Sequence, residues 1–151
     1  MSHVRTQIRN AIAQQLNNLT TTGTRVFVSR VYPLENAALP GLIIKTEADQ
    51  ANEQFASASD GTVKQWCQLQ LMVKAYAKGT ANVDDVLDQV ELEVRIALAS
   101  NKTLGGLAKD INWLHTAILL ENGGEQPIGS AEMIFTVDYR VADNSPNISL
   151  N

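Results

Sequence analysis

The sequence of 151 residues has few of the side chains on which enzymes and metal sites depend. Cys67 is the only cysteine, which excludes an intrachain disulfide and a multi-cysteine zinc site. The two histidines, His3 and His115, have no His-x-His or His-Glu-x-x-His spacing. Nucleophile elbows and glycine-rich phosphate loops are absent as well. We therefore expect no enzyme, no metal and no cofactor, and we interpret His115 as a structural histidine in a strand.

Aromatic residues and basic charge are also scarce. Aromatic side chains make up 5% of the chain, and the net charge is −4. A platform that stacks nucleic-acid bases needs interleaved aromatic and basic residues, so this composition argues against one. No apolar run approaches the length of a membrane span, and the first residues lack an apolar signal core. We expect no membrane partner and assembly in the cytoplasm of the cell that makes the protein.

The apolar periodicity predicts an α+β domain that covers residues 1–151. Both helices are expected on one face of a mainly antiparallel sheet, in the order α-β-β-β-α-β-β. The strongest signal is the alternation that buries Cys67, Leu69 and Leu71 on one face of a strand. The predicted elements are a helix from Val4 to about Leu19, strands at Arg25–Val31, Leu42–Glu47 and Val63–Tyr76, a helix at Val83–Ser100, and strands at Asp110–Glu121 and Ala131–Val141.

Two segments show no such periodicity. Residues 48–62 are polar and rich in small side chains, which predicts a long mobile loop. Phe55 in this loop is either an anchor at an interface or a side chain that packs against its own domain. Residues 143–151 are expected to form a flexible tail. The predicted strand Val63–Tyr76 has fourteen residues and would span about 45 Å, so it must bend or extend past the body of the domain.

Charge is distributed unevenly along the chain. The first 34 residues carry +4 and no acid, so the remaining residues must carry −8 to give the net charge of −4. The second helix is acidic, which indicates either a solvated face or a head-to-tail contact with the basic region of another copy. The interface candidates from this pattern and from the polar loop are Arg5, Arg9, Arg25, Arg30, Glu47, Asp49, Glu53, Phe55, Asp84, Asp85 and Asp88.

The order of several segments resembles one known family. These segments are IRNAI, RVFVSRVYPLENAALPGLIIKT, WCQLQLMVKAY, VDDVLDQVE, TLGGLAKDI and PIGSAEMIFTVDYRV. Together they are similar to the tail terminator proteins of long-tailed bacteriophages, the lambda-type minor tail protein U group. The resemblance covers most of the chain and lies in the order of the segments, because no single one of them is diagnostic.

The resemblance implies a structural virion protein at the head-proximal end of the tail. Such a protein forms a ring of six, binds the last ring of the tail tube protein, stops tube growth and provides the surface for head–tail connector or neck proteins. DNA would be a partner only as cargo that passes through the lumen. The family has no catalytic motif to transfer to this chain.

Other functions remain open on the sequence. A head-completion or connector protein would share the acidic, scaffold-like composition. A small cytoplasmic binding or regulatory domain could use a sheet pocket around Trp66 and Trp113. An enzyme would have to work through His115.

Overall fold

The computed structural model describes residues 1–31, 34–56, 61–79, 82–121 and 128–150. At positions 36, 53–56 and 121 it describes the backbone but not the side chain. The predicted order α-β-β-β-α-β-β is confirmed. Two short 3-10 turns lie at Asn36–Ala38 and Leu104–Gly106. The helices and strands are α1 (Val4–Gln15), β1 (Val26–Val28), β2 (Gly41–Ala56), β3 (Val63–Lys78), α2 (Val83–Ala99), β4 (Asp110–Glu121) and β5 (Ile128–Ala142).

The strands form one sheet in the order β1-β2-β3-β5-β4. β1 is parallel to β2, and every other neighbouring pair is antiparallel, so the prediction of a mainly antiparallel sheet is confirmed. The long strand β3 lies at the centre and pairs with β2 on one side and β5 on the other. β1 and β4 are consequently the strands at the two opposite edges.

Both helices pack on the same face of this sheet. In α1 the side chains of Val4, Ile8 and Ile12 recur every fourth residue and are fully buried, as a single apolar stripe requires. The Nδ1 atom of His3 accepts a hydrogen bond from the Arg5 N–H at 3.0 Å and caps this helix. The apolar stripe of α2 consists of Val83, Leu87, Val90, Val94 and Leu98.

The core lies between the helices and one face of the sheet. Leu69, Leu71 and Val73 of β3 are fully buried there, and Met133 of β5 lies beside them. Cys67 belongs to the same cluster, which confirms the prediction of a buried thiol on the apolar face. α1 contacts β1 and β2, whereas α2 contacts β3, β5 and β4. Each edge of the sheet therefore has its own helix.

The predicted loop at 48–62 is wrong for residues 48–56, because these residues continue β2. Their backbone pairs with β3 from Ala48↔Gln70 to Ala56↔Val63, with irregularities after Thr46 and Ala51. The side chains of residues 50–52 are exposed, so this part of the sequence shows no alternation of apolar and polar residues. Its pairing with β3 is made by backbone hydrogen bonds instead. Residues 57–60 of the predicted loop lie outside the described residues.

The predicted flexible tail at 143–151 is folded back onto the domain over residues 143–150. The Val4 N–H donates to the Pro146 carbonyl at 2.9 Å, and the Leu150 N–H donates to the Arg140 carbonyl at 2.9 Å. The Ser149 hydroxyl donates to the Leu107 carbonyl at 3.0 Å. The tail therefore satisfies backbone groups at the start of α1 and the end of β5, which a count of its apolar residues does not reveal.

The edge strand β1 is shorter than the predicted Arg25–Val31. Ser29 has a φ of 59°, a left-handed conformation that a continuous strand cannot contain. β5, in contrast, begins at Ile128 rather than at Ala131, because Gly129 pairs with Ala77 of β3.

Candidate assembly surface

The edge strand β4 exposes an unusual amount of apolar surface. Trp113, Leu114, Ile118, Leu119 and Leu120 are between 41% and 59% exposed. The strand is twelve residues long, and among the described strands it pairs with β5 alone, so a row of backbone donors and acceptors faces outward. A long, apolar and uncovered edge strand is a site at which another strand adds, unless charge or a covering segment blocks it.

α2 extends this apolar surface beside β4. Leu92 and Ile96 are 52% and 62% exposed on the side of α2 away from its buried stripe. An open groove of about 600 Å³ runs between α2 and β4, with the buried Ile111 and Phe135 among its lining residues. The groove and the helix-side residues of β4, which are Trp113, Ile118 and Leu120, lie on the same side of the sheet, and we call them together the β4–α2 surface.

Trp113 is held in place on this surface by polar contacts. Its Nε1–H donates to the Thr116 hydroxyl at 2.9 Å, and that hydroxyl donates to a carboxylate oxygen of Glu91. The Arg95 guanidinium lies 4.1 Å from the centroid of the Trp113 ring and 3.5 Å from Glu91. The aromatic side chain is therefore ordered before any partner binds, which is typical of residues that dominate binding energy at interfaces.

The predicted acidic candidates divide into two groups. Asp84, Asp85 and Asp88 are exposed on α2, beside the β4–α2 surface. Glu93 of the same helix instead accepts hydrogen bonds from the backbone N–H and the hydroxyl of Thr21, and so holds α2 to the segment after α1. The pKa of Glu93 is below its ordinary value, because these bonds outweigh the opposing effect of burial.

The predicted basic candidates lie on the side of α1 and β1. Arg9 donates to the Thr46 hydroxyl at 3.5 Å, and Arg25 donates to the carbonyls of Thr21 and Pro40. The Arg30 guanidinium lies 5.1 Å from the centroid of the Phe27 ring. Among the described side chains, these three arginines form no ion pair with a carboxylate.

Arg5 has a different role, because it is neutralised within the domain. Its Nε–H donates to Oδ2 of Asp49 at 3.2 Å, and the hydroxyl of the buried Tyr139 donates to the same oxygen. Burial, and then the carboxylate of Asp49, raises the pKa of Tyr139 well above its ordinary value. Arg5 and Asp49 therefore tie α1 to β2 and β5.

The remaining candidates lie along β2. Glu47 is exposed and forms an ion pair with Lys45 at 3.6 Å. Glu53 and Phe55 are in β2, where their backbones pair with Trp66 and Lys64 of β3. The structure thus places Asp84, Asp85 and Asp88 near one edge of the sheet and Arg9, Arg25 and Arg30 near the other.

The apolar residues of β4 and α2 are not among the interface candidates predicted from the sequence. The segment WLHTAILL ends with four apolar residues in succession, so it has no strict alternation and indicates neither face as solvated. This loss of alternation is the signal in the sequence that could have identified β4 as a strand with apolar residues on both faces. A strand that is apolar on both faces is either central in a sheet or covered by a partner, and β4 is at an edge.

The structure does not bring together the residues of the other open hypotheses. Trp66 lies beside Arg140 on the face of the sheet away from the helices, whereas Trp113 pairs with the core residue Phe135. The two tryptophans therefore share no pocket. His115 is exposed on β4. Across the described residues, no three His, Cys, Asp or Glu side chains form a group that could hold a metal ion, and no helix is long and apolar enough to span a membrane.

Comparisons with known proteins give little further information. No family model matches the sequence, and no curated protein matches it. A solved structure described as "Virion of native gene transfer agent (GTA) particle" contains a chain with a partly similar backbone. The similarity has a TM-score of 0.49 at 10% identity and covers 93% of this chain and 100% of that chain. A likeness of this strength supports no conclusion about function.

Proposed function

We propose that this chain is a structural virion protein of a long-tailed phage-like particle, a tail terminator that assembles as a ring of six. The ring would bind the last ring of the tail tube protein, stop tube growth and join the tube to connector or neck proteins. It would lie at the head-proximal end of the tail, with DNA passing through its lumen. The proposal includes no catalytic step, no metal and no cofactor.

The observation that carries the proposal is the uncovered β4–α2 surface. Trp113 and four further large apolar residues are exposed on an edge strand that pairs with no second strand in the described part of the chain. Such a surface promotes aggregation of a free protein, so it needs a partner. The choice of a tail terminator rests on the order of the sequence segments described above. The opposite charges at the two sides of the sheet favour a head-to-tail contact, which closes into a ring.

The proposal is tested by particles assembled without this chain. If the chain is a terminator, tails without it should grow to variable and excessive lengths and should not join heads. Adding the purified protein to growing tubes should stop their elongation. Electron microscopy of the tails measures both effects through the length distribution.

The same experiment separates the alternatives. A head-completion or connector protein would leave tail length normal and would abolish only the joining of heads and tails. A small binding or regulatory domain would leave both the tails and their attachment unchanged. Either result would contradict the assignment as a terminator.

A further inference from the structure

The two edges of the sheet are complementary in apolar surface. β4 exposes the five large apolar side chains described above, and the strand end at β1 exposes Val28 and Val31, which are 37% and 89% accessible. Exposed apolar residues are therefore found at both edges of the sheet. Because the edges lie on opposite sides of one sheet, a single copy cannot cover one with the other.

The two edges are also complementary in charge. α2, beside β4, exposes Asp84, Asp85 and Asp88. Arg25 and Arg30 flank β1, and no acid occurs among the first 34 residues. Oppositely charged groups around an apolar contact guide the encounter and fix its orientation.

The strand directions add a geometric argument. β1 and β2 run in one direction, β3 runs opposite, β5 runs with β2, and β4 runs opposite again. When a second copy is placed beside the first in the same orientation, its β1 therefore runs antiparallel to β4. Antiparallel pairing gives the more stable ladder, so edge-to-edge addition needs no reversal of the neighbour.

We infer that the β4–α2 surface of one copy binds the β1 edge of a second copy, with β4 and β1 antiparallel. The partner is a second copy of this chain, and the contact rests on the proposed ring, which it deepens by naming the two surfaces. Val28 and Val31 cover the apolar residues of β4, and the basic charge of the β1 edge lies beside the acidic side of the neighbouring copy. The sheets of successive copies then form one continuous band.

The competing arrangement pairs β4 with β4 of a second copy. A two-fold axis through the edge would also make this pair antiparallel, but it would bring two acidic α2 helices together on the same face. Repulsion between like charges opposes that contact, and the arginines near β1 would remain without acidic partners. This arrangement would produce a closed dimer instead of a ring.

The inference is tested by cross-linking two single-cysteine variants, each in a Cys67→Ser background. One variant carries Ile118→Cys on β4 and the other carries Val28→Cys on β1. Both side chains are exposed and lie on the helix side of the sheet, where their neighbours are the core residues Ala131 and Ile44. A short, flexible bismaleimide tolerates an uncertainty of one or two residues in the strand register. Lys64→Cys, exposed on the central strand β3, replaces either partner as the matched control.

The mixture of the β4 and β1 variants should give cross-linked dimers, and a chain with both cysteines should give products up to the full ring. Each variant alone, and each mixture with the Lys64→Cys control, should remain uncross-linked. Dimers from the Ile118→Cys variant alone would overturn the inference in favour of the two-fold pair.

Failure of the inference can be distinguished from failure of the proposed function. Rings visible by negative-stain microscopy without any cross-link between β4 and β1 would show that a different contact closes the ring. In that case the inference is wrong and the proposed terminator stands. A strict monomer, together with normal tails in particles that lack the chain, would overturn both.

Discussion

At the scale of single residues, Trp113 is the side chain on which the assembly surface depends. Thr116, Glu91 and Arg95 fix the indole ring, so little side-chain entropy is lost when a partner covers it. Trp113→Ala should weaken assembly by at least about 2 kcal/mol per contact, close to a thirtyfold change in affinity. The concentration dependence of light scattering measures this change.

The matched control for that prediction is Trp66→Ala. Trp66 lies on the other face of the sheet beside Arg140, outside the β4–α2 surface. Its removal should leave the concentration for assembly unchanged even if it lowers the melting temperature. Equal effects of the two substitutions on assembly would contradict the role of Trp113.

Gly129 determines how closely α2 approaches the sheet. A Cβ atom at this position would lie 2.3 Å from Cγ1 of Val83 and 3.1 Å from side-chain atoms of Leu87 and Leu120. Gly129→Ala should therefore lower the free energy of unfolding by about 1–3 kcal/mol through overpacking. Val83→Ala removes the nearest atom, so the double variant should be more stable than the sum of the two single effects predicts. Additive effects in urea denaturation would contradict this account.

Glu93 makes stability depend on pH in the acidic range. Its pKa is lower in the folded chain than in the unfolded chain, so its contribution is complete above the ordinary glutamate value of about 4.3. The contribution is lost as the pH falls through the lower folded pKa. Glu93→Gln should reduce the melting temperature at neutral pH, and the difference from the wild type should shrink as the pH falls below about 4. A difference that is constant across this range would contradict the role of the hydrogen bonds from Thr21.

At the scale of elements, the sequence determines those that are held by apolar burial. Cys67, Leu69 and Leu71 alternate toward the core and identify β3, and the spacing of Leu87, Val90 and Val94 identifies α2. The end of β2 could not be found in this way, because its residues pair through the backbone and expose their side chains. The same holds for the C-terminal segment, which is attached by backbone hydrogen bonds.

The position of an element in the sheet was harder to predict than its existence. β4 was expected with its observed limits, but its place at an edge follows from the strand order, which periodicity does not determine. For this reason the charged candidates were found in the sequence and the apolar ones were missed. Arg5 was expected at an interface, but the ion pair with Asp49 depends on the continuation of β2, which the sequence analysis did not predict.

The connection between β2 and β3 provides a prediction at this scale. Removing all of residues 48–62 would delete Asp49, which contacts both Arg5 and Tyr139, so a smaller change is needed. Replacing residues 57–62 with Asn-Gly keeps all the residue pairs between β2 and β3, including the last one, Ala56↔Val63. This dipeptide suits a two-residue hairpin turn. The free energy of unfolding should change by less than about 1 kcal/mol.

The shortened connection should nevertheless abolish capping if this end of the hairpin contacts the tail tube. Tail lengths measured by electron microscopy should become variable. A six-residue Gly-Ser segment at the same place serves as the control for length alone. Normal tails from the shortened variant would show that this end of the hairpin has no part in capping.

At the scale of the whole molecule, the separation of acidic and basic charge determines which side of one copy meets the next copy. Each copy has an acidic side at α2 and a basic side at β1, so a contact between unlike sides leaves one side of each kind free for the next copy. Such a contact repeats until the ring closes. The apolar residues of β4 provide the affinity, and the charges determine which side meets which.

A charge-swap experiment tests this arrangement. One variant carries Asp85→Lys and Asp88→Lys and so has two basic sides, and the other carries Arg30→Glu and has a weakened basic side. Each variant alone should assemble less readily than the wild type, by about 1 kcal/mol per contact, because exposed ion pairs have small individual energies. The penalty should decrease as salt is added, since exposed charges are screened.

Mixing the two variants should restore assembly, and the composition of the mixed rings should show whether the number of subunits is even. The reversed α2 of the first variant attracts copies that carry the Arg30→Glu substitution, and the normal α2 of the second variant attracts the unchanged Arg30 of the first. The two variants therefore alternate around the ring. Strict alternation closes only when the number of subunits is even, and a ring of six should contain three copies of each.

Native mass spectrometry of the mixture measures this composition. A variant with Asn52→Lys and Asn144→Lys controls for added positive charge at exposed positions elsewhere. Random incorporation of the two variants, or full assembly of the first variant alone, would show that these charges do not set the order of copies.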